Sequence, residues 1–317
     1  MKLGIVGAGK IVQEVLPILK TIPNIDLMGI TTRESSYHKL APIAEMYGIK
    51  KTYATFEEMI NSPEMNTIYI ANYNNLHFEF AARAIKKGKH LIIEKPMVLH
   101  LQEFNRLHEL AQNHKVMILE AVNILHLPNY HKVRELLPEI GDVKVVSCNL
   151  SQYSSRYAQF QAGEILPVFD VNMGGGALTD LNIYNLNFIV GLFGTPEKAR
   201  YQENIERGVD TSGIVSLSYE GFKAVAIAAK DSNSPHLSFI QGNKGYIEVA
   251  SHMNEMSVIR LCLNGQAPVE YRENGDVHRL YHEFVAFTQI IDRKDHDRAA
   301  ALTDISKKVI EIIDKVR

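Results

Sequence analysis

Leu3-Gly4-Ile5-Val6-Gly7-Ala8-Gly9-Lys10-Ile11-Val12 opens the chain with an apolar run, a turn holding two glycines, and the start of a helical periodicity. The order carries the meaning. A wholly apolar run of this length suits a strand buried on both faces. Gly7 permits the tight turn, and Gly9 lets the backbone approach a pyrophosphate, whose charge is favoured by the N–H groups and dipole of a helix start. The bland alternative is an ordinary strand-to-helix turn. Val12 stands where the third Gly or Ala of the dinucleotide fingerprint would be, and is expected to push helix and strand slightly apart. Pro17 falls in the same helix and is expected to kink it.

The pattern continues outward from this turn. Leu27 to Thr31, Thr67 to Ala71, His90 to Glu94 and Val116 to Glu120 are further short apolar runs, with a weaker one near Thr52 to Ala54. Between them Ile11 to Lys20, Leu76 to Lys87 and Leu101 to Asn113 repeat apolar residues every three or four positions, so the spacing predicts crossover helices on a parallel sheet. Beyond Asn123 the periodicity becomes two. Val143 to Leu150, Gly213 to Tyr219, Phe222 to Ala229 and Ser257 to Leu263 read as antiparallel strands, with turns at Glu220-Gly221 and Asn264-Gly265. Helices are expected from Ala177 to Leu192, His282 to Ile291 and Thr303 to Val316. The expected architecture is α/β: a doubly wound parallel sheet of the Rossmann kind over 1–122, then an α+β domain over 123–317 with a large, mostly antiparallel open sheet. Open α/β sheets bind ligands at the C-terminal ends of their strands, which is where a cleft is expected.

Bulk properties agree with a folded two-domain protein: 317 residues, 46% apolar and 22% charged. A formal charge of −2, scattered along the chain, provides no field for nucleic acid or an anionic membrane. No apolar run reaches membrane-spanning length, and the opening stretch is too short for an export signal. Cys148 and Cys262 lack partners at metal-binding spacing and read as small core residues, so no metal is expected and a reducing cytoplasm is the expected location.

The end of the second strand, Ile30-Thr31-Thr32-Arg33-Glu34-Ser35, bears on which dinucleotide binds. An acid there would hold a ribose hydroxyl, whereas here hydroxyls and a guanidinium come first and the acid one residue late, which favours NADP, with NAD as the alternative. Arg33 as a solvated loop residue is the competing reading. Two further stretches can carry proton chemistry. Glu94-Lys95-Pro96 ends the His90–Glu94 strand, and a partly desolvated ammonium there can donate a proton to, or stabilise, an alkoxide oxygen. In Gly174-Gly175-Gly176-Ala177-Leu178-Thr179-Asp180-Leu181-Asn182-Ile183-Tyr184, the glycines would let a loop approach a ligand. Asp180 and Tyr184, four residues apart, would share a helical face. In isolation, Lys95 reads more readily as a surface charge, Asp180 as a helix-start acid and Tyr184 as a packing aromatic.

Taken in order, these motifs resemble the glucose–fructose oxidoreductase, inositol dehydrogenase and rhizopine-catabolism family, Gfo/Idh/MocA. Its marks are Gly7-Ala8-Gly9, Ala71-Asn72-Tyr73-Asn74-Asn75-Leu76-His77, Gly88-Lys89-His90 leading to Glu94-Lys95-Pro96, the glycine run with Asp180 and Tyr184, and Gly242-Asn243-Lys244-Gly245. The resemblance implies that Lys95 is the catalytic lysine, that Tyr184 is the acid/base and that Asp180 assists. It implies cofactor contacts from Gly7, Ala8, Gly9, Lys10, Ile11, Thr31, Thr32, Arg33, Ala71, Asn72, Asn74, His77, Glu94 and Lys95. Three departures stand out: Tyr73 where Pro is frequent, Asn182 where Gly is frequent, and Glu120-Ala121-Val122-Asn123-Ile124-Leu125-His126-Leu127-Pro128, whose Leu125 and Leu127 replace an arginine and a histidine. The last is expected to make one pocket wall less polar. Asn123, His126 and Arg156 are candidate substrate contacts.

The expected activity is hydride transfer between a nicotinamide and a small hydroxyl- or carbonyl-bearing substrate of the sugar, polyol or dihydrodiol class. This requires Lys95 and Tyr184 to converge on the bound dinucleotide. A regulatory protein that senses the dinucleotide without catalysis is the alternative from another class, and redox-assisted lyase chemistry is a third. The apolar alternation of the second sheet predicts a homodimer or homotetramer through that face.

Overall fold

Runs that are apolar on both sides need cover on both faces, and the computed structural model, which describes residues 1–317, provides it. Strands β1 (Lys2–Val6), β2 (Asp26–Thr31), β3 (Thr67–Ile70), β4 (His90–Glu94) and β5 (Ile118–Ala121) form an all-parallel sheet in the order β2-β1-β3-β4-β5. The weak sixth run survives as a single parallel bridge, Thr52 to Ile30, on the outer side of β2. Helices α1 (Lys10–Leu19), α2 (Leu40–Tyr47), α3 (Phe56–Ile60), α4 (His77–Ile85) and α5 (Leu101–His114) connect the strands. Helix α1 continues through Pro17 and ends two residues later, and Val12 is fully buried in the core.

The second half contributes α6 (Pro128–Leu136), β6 (Val143–Ser151), α7 (Tyr157–Gln161), α8 (Ile183–Phe193), β7 (Lys198–Glu206), β8 (Val209–Tyr219), β9 (Phe222–Ala229), β10 (Ser238–Gly242), β11 (Gly245–Val249), β12 (Ile259–Leu263) and β13 (Val269–Tyr271). Its eight strands run β13-β12-β11-β10-β6-β9-β8-β7, antiparallel except for β6 with β9. Strand β7 was not anticipated, because Lys-Ala-Arg-Tyr-Gln-Glu-Asn-Ile-Glu is an edge strand whose polar residues hide the alternation. The Asn243-Lys244 stretch is the β10–β11 turn, where the Asn243 side chain accepts from the Asp142 N–H at 3.0 Å.

Contacts divide the chain into Met1–Ala121 with Leu280–Lys307, and Val122–Arg279 with Lys308–Arg317. This differs from a division into 1–122 and 123–317. Helix α9 (Tyr281–Arg293) carries Phe284, Phe287, Ile290 and Ile291 on one face, and they enter the same core as Leu3, Ile5 and Leu16. Phe284 meets the fully buried Tyr69 edge-on at 5.4 Å, and the Met1 amine pairs with Asp292 at 2.9 Å. Helix α10 (His296–Val316) adds a bond from the Thr303 hydroxyl to the Ile118 carbonyl at 2.9 Å.

Candidate active site

The first turn is shaped by its neighbours. Gly7, at φ 124°, donates its N–H to the Thr31 carbonyl at 2.8 Å, and a Cβ there would collide with the Ala71 carbonyl. Gly9, in extended conformation, is the residue immediately before α1, with no side chain capping the helix and nothing within 4 Å of where its Cβ would be. The first-turn N–H groups of Lys10, Ile11 and Val12 thus open onto space that a side chain would fill. Ala8 is buried, Lys10 exposed and Ile11 half-buried. Asn72, directly beyond Ala71, is the complementary observation: its amide nitrogen and oxygen are both buried without a hydrogen-bond partner. Buried amides left unmatched are costly, so this one calls for a polar ligand. Open backbone donors beside an unmatched amide fit a dinucleotide.

At the end of β2 the two threonines differ. Thr31 is buried and its hydroxyl donates to the Tyr53 carbonyl at 2.9 Å, so its role is to hold the glycine turn and not to meet a ribose. Thr32 is half-buried and Arg33 exposed. Arg33 donates from Nη1 to the Tyr73 hydroxyl at 2.7 Å and from Nε to Ser36 Oγ at 3.2 Å, its guanidinium 5.2 Å from the Tyr73 ring centre. Tyr73, the departure from Pro, therefore fixes the arginine.

Lys95 follows β4, half-buried, before a cis bond to Pro96. His77, expected at the cofactor, is instead fully buried between carbonyls, with Nδ1 2.9 Å from Pro96 O and Nε2 3.4 Å from Asn72 O. Burial lowers its pKa to about 4, so the ring is neutral; its one proton belongs on the shorter contact, to Pro96. His77, the first residue of α4, thus ties the Lys95-Pro96 turn to the start of that helix. Glu94 accepts a hydrogen bond from the Tyr69 hydroxyl. Glu120, given no role from the sequence, accepts from the Met97 N–H at 2.7 Å; burial raises its pKa, partly offset by hydrogen bonds from Ser306 and that N–H and by the charge of Lys95. Asn74 lies half-buried in the short turn entering α4, and Ala71 is buried.

In the second unit, the glycine run serves packing and not ligand approach. A Cβ on Gly175 would press on the Pro167 carbonyl and Asp170 N–H, both at 2.7 Å, and one on Gly176, at φ 116°, would strike Asp210. Asp210 accepts from the Leu178 N–H and from the Tyr201 hydroxyl, each at 2.7 Å, and so fastens the helix start. Leu178–Asn182 is a π-helical turn leading into α8, so Asp180 and Tyr184 are not related by simple α-helical spacing. Tyr184 is buried, and Asp180 pairs with Lys230 at 2.7 Å, a lysine the sequence reading passed over. Asn182 is fully buried and donates to Ala226 O at 2.9 Å, which makes it a staple between helix and sheet.

The candidate substrate residues fare unevenly. Asn123 is buried, its amide nitrogen committed to Asn254 O at 2.7 Å and Arg279 O at 3.2 Å, while its side-chain oxygen is buried without a partner. His126 is buried in the same short turn. Arg156 is exposed at the start of α7. Leu125 and Leu127 are core residues and form no accessible wall.

A two-domain, dinucleotide-dependent oxidoreductase is the class that this fold and these residues define. The chain belongs to the Gfo/Idh/MocA oxidoreductase family: residues 1–122 match its "Oxidoreductase family, NAD-binding Rossmann fold" and residues 130–248 its "GFO/IDH/MocA C-terminal domain". It is 31% identical over 262 residues to scyllo-inositol 2-dehydrogenase (NADP(+)) of Bacillus subtilis (strain 168), covering 82% of this chain and 79% of that one. To trans-1,2-dihydrobenzene-1,2-diol dehydrogenase of Xenopus tropicalis it is 27% identical over 271 residues, covering 84% and 79%. A solved structure of a 3-ketoreductase from Actinomadura kijaniata superposes with TM-score 0.87 at 20% identity, over 100% of this chain and 97% of that one. The chain is an NAD(P)-dependent oxidoreductase acting on hydroxyl or carbonyl groups. No helix is long and apolar enough to cross a membrane.

Proposed function

We propose that this enzyme uses NADP(H) to interconvert a secondary hydroxyl and a carbonyl on a cyclic polyol, sugar or dihydrodiol. The observation that carries the reading is Lys95, placed at the C-terminal end of β4 in the sheet whose first turn is open to a pyrophosphate. When bound, the nicotinamide supplies or accepts the hydride. Gly7, Ala8, Gly9, Lys10 and Ile11 cradle the pyrophosphate, Thr32 and the clamped Arg33 take the 2′-phosphate, and Ala71, Asn72, Asn74 and Glu94 complete the cofactor contacts. Lys95 stabilises charge on the substrate oxygen, Tyr184 gives or takes the proton there, and Asp180 orients the hydroxyl. The scyllo-inositol and dihydrodiol relatives support this substrate class, and the NADP(+)-dependent relative supports the cofactor. The buried, unpaired Cys148 and Cys262 support a reducing cytoplasm.

The test is turnover with NADP on scyllo-inositol, related polyols and trans-1,2-dihydrobenzene-1,2-diol. Lys95→Ala is expected to lower kcat by about a hundredfold or more while leaving the Kd for NADPH within about threefold. If wild-type protein that binds NADPH turned over no member of the panel, the reading would fail.

We further propose that the enzyme self-associates through the outer face of the second sheet, where Val145, Ile214 and Tyr246 are each about 40% exposed. On that face Ile227 lies opposite Ile214 and Phe239 meets Tyr246 edge-on at 6.0 Å, with Ser147, Lys223 and Gln241 interleaved, beside a hollow of about 360 Å³ that Ile214 and Ile227 help to line.

A further inference from the structure

The side chains of β9 that face α8 read Ala224, Ala226 and Ala228, and the next inward position is Lys230. Three alanines let the helix lie close, so that Asn182 and Asn185 reach the Ala226 and Ile227 carbonyls, both at 2.9 Å. An ammonium then stands where the alternation calls for a fourth apolar group. It cannot swing to the other face, because its backbone is held on both sides: Lys230 N–H donates to Thr211 O at 2.7 Å, and its carbonyl accepts from Ser154 N–H at 2.8 Å.

The buried Nζ donates to Asp180 Oδ2 at 2.7 Å and to Val168 O at 2.6 Å, and lies 4.8 Å from the Phe169 ring centre. Val168 O also accepts from Gly176 N–H at 3.2 Å, so the lysine shares an acceptor with the glycine run. A charge this deep persists only where it is paired and hydrogen-bonded. Asp180 sits in the π-helical turn, where the wider winding relaxes the usual relation between neighbouring side chains, and its direction falls to an outside partner.

We propose that Lys230 is a positioning residue for the reaction: it fixes the rotation of the Asp180 carboxylate and ties it to the loop through Val168. The inference rests on the reading of Asp180 as the group that orients the substrate hydroxyl.

The experiment is steady-state kinetics of Lys230→Met, Lys230→Arg, Asp180→Asn and the double variant Lys230→Met/Asp180→Asn, using NADP with scyllo-inositol or the best panel substrate. NADPH affinity by fluorescence and melting temperature are measured in parallel. Lys230→Met is expected to lower kcat about tenfold or more with NADPH Kd changed less than about twofold, and Lys230→Arg to recover most of the loss. In the Asp180→Asn background Lys230→Met should cost nothing further. The double variant leaves no charge unpaired and so reports even if Lys230→Met alone folds poorly. Wild-type kcat in Lys230→Met, or two losses that simply multiply, would overturn the inference alone. Full activity in Asp180→Asn, or an inactive wild type, would overturn the underlying reading.

Discussion

Gly9 adopts a backbone conformation open to any residue, so only the space in front of it explains the absence of a side chain. Gly9→Ala should therefore fold normally, within about 1 kcal/mol of wild type, yet lose NADPH affinity at least about tenfold. Gly7→Ala should be destabilised by more than about 2 kcal/mol, since its left-handed conformation and the Ala71 carbonyl both oppose a Cβ. Thermal melts beside NADPH titrations separate the two, and a Gly9→Ala protein binding NADPH like wild type would count against the pyrophosphate cradle. Both glycines were legible in the sequence because a turn between strand and helix is a local event. Thr31 and His77 were not, because their partners, Tyr53 and Pro96, lie about twenty residues away and decide which way the side chain faces.

The junction of α4 and the Lys95-Pro96 turn is held by a histidine that must stay neutral. Above its ordinary pKa of 6.5 folded and unfolded chains are alike in this respect. As pH falls toward 4 the unfolded chain takes up a proton that folded His77 refuses, and stability drops; below 4 both carry it and the loss levels off. The lost stability is about 3 kcal/mol by linkage. Melting wild type against His77→Asn should show their difference in stability shrinking between pH 6.5 and 4, and a difference constant over that window would refute a neutral His77. Elements with a clear period, such as β1, β9 and α5, were readable in advance. The π-helical turn was not, because the partners of Leu178 and Asp180, which are Asp210 on β8 and Lys230 just after β9, lie far along the chain.

For the whole molecule, self-association through the sheet face that carries Val145, Ile214 and Tyr246 predicts a mass of at least two chains by light scattering at micromolar concentration. Ile214→Glu should shift it toward one chain while leaving the fold intact, since this side chain is already 39% exposed. A single-chain mass for wild type would refute the proposal. The change of period near residue 122 marks where one sheet gives way to the other, but it gives no hint that α9 returns to the first. Phe284, Phe287 and Ile290 show only an apolar face, which any core could accept. Excising the first 122 residues as a portable cofactor module would consequently strip the wall from Tyr69 and Leu3. A transplantable version has to carry residues 280–307 as well, for instance spliced behind β5 by a designed linker.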